Sequence, residues 1–138
     1  MIERWGKVMD IVTDTSVLIA VILNEPEKPA IVEETSGHTL VGPDSIRWEV
    51  GNAFSAMFKQ DRISLRMAQK ALAVFEVIPM RYLDVDFKHS LKLAHDNQMY
   101  AYDAYFLDCA MRHKSPLLSL DSRMNTKAKA LGVSILEI

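Results

Sequence analysis

The chain has 138 residues, 49% apolar and 25% charged, with a formal net charge of −2. It therefore suits one domain with its own core and excludes a disordered chain or one drawn globally to polyanions. The single Cys109 excludes an internal disulfide framework and suits a reducing compartment. No apolar run approaches the ~20 residues of a membrane span, so a cytoplasmic protein with no membrane association is expected.

Residues 1–8 lack the long apolar stretch of a signal peptide and read as an N-terminal extension before a single domain over 9–138. Met9 to Thr13 is a short buried strand, and Val17 to Leu23 a short helix interrupted near Asn24-Glu25-Pro26. A second helix runs from Pro29 to Ser36, with Gly37 as its stop signal. Thr39 to Val41 is a strand ended by Gly42-Pro43. Asp44 or Ser45 then caps a helix to about Gln60. Its residues Ile46, Val50, Ala53, Phe54, Met57 and Phe58 follow helical spacing.

Ser64 caps the next helix, which carries Leu65, Met67, Ala68, Ala71, Leu72 and Phe75. Val77 to Leu83 is extended and broken by Pro79. Asp86 starts a helix that stops near Asn97, and Ala101 to His113 form another. Cys109 falls within its apolar pattern and reads as a packed thiol, not a nucleophile. Leu117 to Leu120 is a strand, Met124 to Leu131 a helix ended at Gly132, and Val133 to Leu136 a last strand. Short apolar strands alternating with helices imply an α/β fold, a three-layer α/β/α domain with a mainly parallel central sheet.

Four acids fall at the boundaries or flanks of these elements: Asp14, Glu49, Asp103 and Asp121. Ligand sites of open α/β sheets lie beyond the carboxyl ends of the strands, where Asp14 and Asp121 both fall. Each acid also has a purely structural reading. Asp14 and Asp121 suit helix caps, Asp103 suits a helix start, and Glu49 suits a solvated flank with a packed stem. Gathered together, the four would resist full ionisation, a conflict that a divalent cation resolves. The aromatic run from Tyr100 to Phe106 around Asp103 argues for a packed site.

The segments Val12-Thr13-Asp14-Thr15-Ser16-Val17-Leu18, Trp48-Glu49-Val50-Gly51-Asn52-Ala53, Tyr102-Asp103-Ala104-Tyr105 and Leu118-Ser119-Leu120-Asp121-Ser122-Arg123-Met124 occur in an order that resembles PIN-domain proteins of the VapC toxin type. The resemblance covers nearly the whole chain from Met9. It implies a metal-dependent endoribonuclease with Asp14, Glu49, Asp103 and Asp121 as both catalytic and metal-binding residues. It also implies product ends of a 5′-phosphate and a 3′-hydroxyl, a cognate antitoxin protein as partner, and a homodimer. Hard oxygen ligands select Mg²⁺ or Mn²⁺ over zinc. Asp108 departs from the small or apolar residue usual in the family, lies on another helix face from Asp103, and reads as a solvated or interface carboxylate outside the site.

For the RNA substrate, Ser16 offers a hydroxyl and Asn125 an amide. Arg47, Arg123, Lys127 and Lys129 are candidate phosphate contacts, against the alternative of ordinary solvated surface. Tyr100 and Tyr102 could stack on unpaired bases or pack beneath the site. His38, His89, His95 and His113 have no zinc-ligand spacing and read as structural or solvated. Leu65, Leu72, Phe75 and Val77 form the apolar surplus expected at a dimer interface. A non-catalytic PIN-like module that binds RNA or protein is the alternative. An aspartate-nucleophile phosphatase is weaker still, because position 16 holds Ser16 where that chemistry wants an acid.

Overall fold

A computed structural model describes residues 7–138, so residues 1–6 of the expected extension lie outside the described residues. Strand β1 spans Asp10–Thr13, β2 Thr39–Pro43, β3 Met80–Leu83 and β4 Leu117–Leu118. All pairings are parallel, in the order β3-β2-β1-β4, with Val12 opposite Val41 and Leu117, and Leu40 opposite Met80. Helices occupy both faces of this sheet. They are α1 Thr15–Ile22, α2 Lys28–Thr35, α3 Ile46–Lys59, α4 Leu65–Val77, α5 Phe87–Asn97, α6 Ala101–His113 and α7 Ser122–Ala130.

The central strands are apolar on consecutive residues because both of their faces are covered. Ile11 and Val12 are fully buried but join opposite cores, as the two-residue period of a strand requires. Val12, Val41 and Leu117 pack with Ile46, Val50 and Phe54 of α3 and Phe106 and Leu107 of α6. Ile11 and Leu118 pack with Val17 and Ala20 of α1 and Ile31 of α2. Cys109 is buried in the larger core, and burial pushes its thiol up to about 12, as a packed thiol requires.

Several boundaries differ from those the sequence implies. Gly42 and Pro43 continue β2 rather than ending it, pairing in register with Tyr82 and Leu83. The missing side chain of Gly42 leaves room for Ile46, whose Cδ1 would lie 2.5 Å from a Cβ there. Val77 belongs to α4, not to the extended segment. It is 75% exposed, so its apolar character reflects no strand. Strand β4 stops at Leu118, and the Ser119 carbonyl that follows accepts from the Asn125 side chain instead of a strand. The expected last strand is reduced to one bridge between Ile135 and Leu117. Helix α7 starts at Ser122, one residue after its cap Asp121.

Candidate metal centre

Asp14 follows β1 directly and caps α1, accepting from the Val17 amide at 3.3 Å. Its Oδ1 also accepts from Ser16 Oγ at 2.6 Å, and its Oδ2 from Ser119 Oγ. The same two hydroxyls reach into the turn before α7. Ser16 Oγ accepts from the Leu120 amide at 3.1 Å, and Ser119 Oγ from the Asp121 amide at 3.0 Å. Asp121 then caps α7, accepting from Arg123 N at 2.9 Å and Met124 N at 3.4 Å. The capping roles of Asp14 and Asp121 thus exist, and they fix both carboxylates beyond the ends of adjacent parallel strands.

Asp14 is only 5% exposed. Burial raises its pKa most, with the Asp121 charge adding, against lowering by Ser119, Ser16 and the Val17 amide. Glu49, half-buried on the first turn of α3, is pushed up to about 7. Burial again leads, and Asp103 and Asp14 add negative charge beside it. Ser45 opposes the shift by donating to Glu49 Oε2 at 3.2 Å. That hydroxyl therefore serves Glu49 and gives α3 no side-chain cap, contrary to the expected role of Ser45 or Asp44. The Thr15 hydroxyl also lies near enough to lower Glu49, yet it misses hydrogen-bond geometry and stays buried without a partner among the described residues.

Asp103, on the first turn of α6, is raised by partial burial and then by the charge of Asp121, with Lys127 and Arg123 opposing. A cleft of about 130 Å³ holds Asp103, Asp121, Arg123 and Lys127 together. Lys127 is further held by the carbonyls of Asn97 at 2.7 Å and Gln98 at 3.2 Å. Asp14, Glu49, Asp103 and Asp121 therefore come from four elements and act electrostatically on one another.

Oxygen donors of this kind fit a hard divalent cation, and two buried polar atoms without partners among the described residues, Thr15 Oγ1 and Asn125 Oδ1, belong to residues of the same turns. Among the described residues, however, no three His, Cys, Asp or Glu groups stand close enough to form a ready-made cage.

The other candidates separate. Asn125 donates to the Ser119 carbonyl at 3.0 Å and so braces the turn that carries Asp121. Arg47 lies over the Tyr82 ring, 5.2 Å from its centroid, and is not among the charges acting on the acids. Lys129 pairs with Glu137 at 3.6 Å on the surface. Tyr100 and Tyr102 are exposed, 85% in the case of Tyr100, so the aromatic helix start is not packed beneath the acids.

Asp108 is not solvated. It is completely buried, accepting from the Asp86 amide at 2.9 Å and meeting His89 Nδ1 at 2.6 Å and Arg112 Nη2 at 3.2 Å. These partners join α6 to the start of α5 and account for a carboxylate in the core. Phe75 likewise packs inside the core rather than on the surface. Ser119 is the site residue that sequence reasoning passed over. Its signal was one hydroxyl inside the apolar run Leu117-Leu118-Ser119-Leu120.

The PIN domain family model matches residues 11–130. Among solved structures, the chain is similar to the crystal structure of PAE2754 from Pyrobaculum aerophilum. The identity is 18% and the TM-score 0.65, over 94% of this chain and 92% of that one, a likeness of fold. Comparison with curated proteins returns no match. No helix of the described residues is long and apolar enough to cross a membrane.

Proposed function

The chain belongs to the PIN domain family, whose members are commonly nucleases, and from that premise we propose that it is a metal-dependent endoribonuclease hydrolysing RNA phosphodiester bonds. In this reading it is the VapC-type toxin of a toxin–antitoxin pair, acting in the cytoplasm. The observation that carries the reading is the convergence of acids from separate elements, with Asp14 tied through Ser119 to the turn of Asp121 and Asp103 sharing a cleft with Asp121.

Asp14, Glu49, Asp103 and Asp121 would hold Mg²⁺ or Mn²⁺. When bound, such a cation neutralises the scissile phosphate and brings the pKa of water toward neutrality. Ser119 and Ser16 fix both oxygens of Asp14, so its carboxylate does not have to be ordered at the moment of binding. Arg123 and Lys127 put positive charge beside Asp103 and would draw the phosphate backbone to the cleft. Asn125 positions the Asp121 turn, while Ser16, already committed to Asp14, is a positioning residue more than a substrate contact.

The test is RNA cleavage by the purified chain. Cleavage should require Mg²⁺ or Mn²⁺, stop with a chelator, leave 5′-phosphate and 3′-hydroxyl ends, and vanish in Asp14→Asn and Asp103→Asn with the fold intact. Equal RNA loss in all three proteins would mark a contaminant and sink the catalytic reading. A non-catalytic RNA- or protein-binding module would instead bind RNA without cleaving it. For the toxin role, expression should arrest growth, and the product of an adjacent antitoxin gene should relieve the arrest. Normal growth with active, soluble protein would oppose it.

A further inference from the structure

We propose that the cavity at the carboxyl ends of β2 and β3 is a subsite for one unpaired guanine base of the RNA. The inference rests on the ribonuclease reading and names a feature of its substrate. The cavity, about 520 Å³, is bounded by Asp44 and Ser45 on one side, Asp84 on another, and the rings of Phe87 and Tyr105. Phe87 is 60% exposed although it opens α5 beside a deep core. Its ring stacks on Tyr105 with centroids 6.3 Å apart and planes at 27°, and Tyr102 meets Tyr105 edge-on at 6.0 Å. An exposed flat ring fixed by a second and a third is a stacking platform for an unpaired base.

The polar lining decides between base and phosphate. Among the described residues no Lys or Arg lines this cavity, whereas two aspartates do. A carboxylate only accepts hydrogen bonds and repels phosphate, so the occupant must present N–H donors. Guanine offers two adjacent donors, N1–H and the N2 amino group, which match the two oxygens of one carboxylate. Uracil offers a single donor between two carbonyl oxygens, and adenine offers an amino group beside an acceptor.

The wall that carries Asp84 is also fixed. Its carbonyl accepts from Arg112 Nη2 at 2.9 Å, and two residues on, the Asp86 amide is held by buried Asp108. Ser45, on the other wall, donates to Glu49. The subsite therefore neighbours Glu49 through Ser45, and a base seated there brings its adjoining phosphates toward that side of the site.

Binding of short single-stranded RNA to the full-length Asp14→Asn protein, followed by fluorescence anisotropy, tests this without cleavage. A single guanine flanked by uridines should bind about tenfold more tightly than the same strand with inosine or uridine there, as loss of a hydrogen bond to a charged group implies. Phe87→Ala should weaken the guanine strand by about tenfold, and Asp84→Asn should erase the preference for guanine. Unchanged affinity and preference in both variants would overturn the proposal. So would occupation of the cavity by an arginine peptide that does not compete with RNA. Cleavage by the unmutated chain is measured in parallel. Cleavage without base preference overturns the subsite alone, while guanine-selective binding without cleavage overturns the nuclease alone.

Discussion

Ser119 and Asp14 exchange one hydrogen bond in the interior, and much of the site's order hangs on it. Removing the hydroxyl leaves Asp14 Oδ2 without its donor and the Asp121 amide without its acceptor. Ser119→Ala should therefore lower Mn²⁺ affinity or cleavage by about 10- to 100-fold, as loss of a ligand-orienting partner does, while circular dichroism stays unchanged. A loss below twofold would show that the hydroxyl orients nothing.

Glu49 supplies the pH dependence at this scale. An acid raised from 4.5 to about 7 binds protons more tightly in the folded chain than in the unfolded one. Its contribution to stability is present below pH 4.5 and is lost as pH rises to about 7. Asp14 and Asp103, also raised, act in the same direction. Thermal melts in chelator should fall between pH 5 and 7, and Glu49→Gln should flatten that fall. A rising melting temperature in wild type over that window would contradict the assignment. Asp14 was legible in the sequence because a polar residue after an apolar run marks a strand end. Asp108 was misread because its partners lie at His89, Asp86 and Arg112, and nothing local reveals that they converge on it.

Elements carry the next level of constraint. The boundaries of α6 were legible to the residue, since its apolar spacing runs unbroken from Ala101 to His113. The strands were harder, because four apolar residues look alike whether they pair or merely pack, as the short β4 and the exposed Val77 illustrate. Buried Asp108 fastens α6 to α5. Asp108→Ala, which leaves the Asp86 amide unpaired, should cost about 1–3 kcal/mol. Asp108→Asn, which keeps an acceptor, should cost less, as denaturant melts can compare. Gly42→Ala should cost about 1–3 kcal/mol, because fully buried Ile46 must give way. A neutral result would mean that the end of β2 is more compliant than its packing implies.

At the scale of the whole molecule, the net charge of −2 leaves RNA attraction to a few local cations. With Arg123 and Lys127 as the phosphate contacts, the salt slope for single-stranded RNA should be shallow, about −1.4 at ~0.7 per contact. A much steeper slope would require a basic surface elsewhere. Leu65 and Leu72, seven residues apart, leave one flank of α4 apolar and exposed. We propose this flank as the homodimer interface, without Phe75, which the core has taken. Sedimentation showing only monomer at micromolar concentration would remove it. The three-layer plan was legible throughout, because alternation of short strands and helices is a local signal. The joining of Asp14 to the turn of Asp121 through two serines was not, because it depends on the register between β1 and β4.

Manganese binding, titrated by electron paramagnetic resonance near neutral pH, tests the central claim most directly, since it asks whether these four acids hold a cation. The wild-type chain should bind Mn²⁺ saturably, with Mg²⁺ competing, and Asp14→Asn and Asp103→Asn should each weaken binding by at least about tenfold. Equal affinity in wild type and both variants would contradict the account.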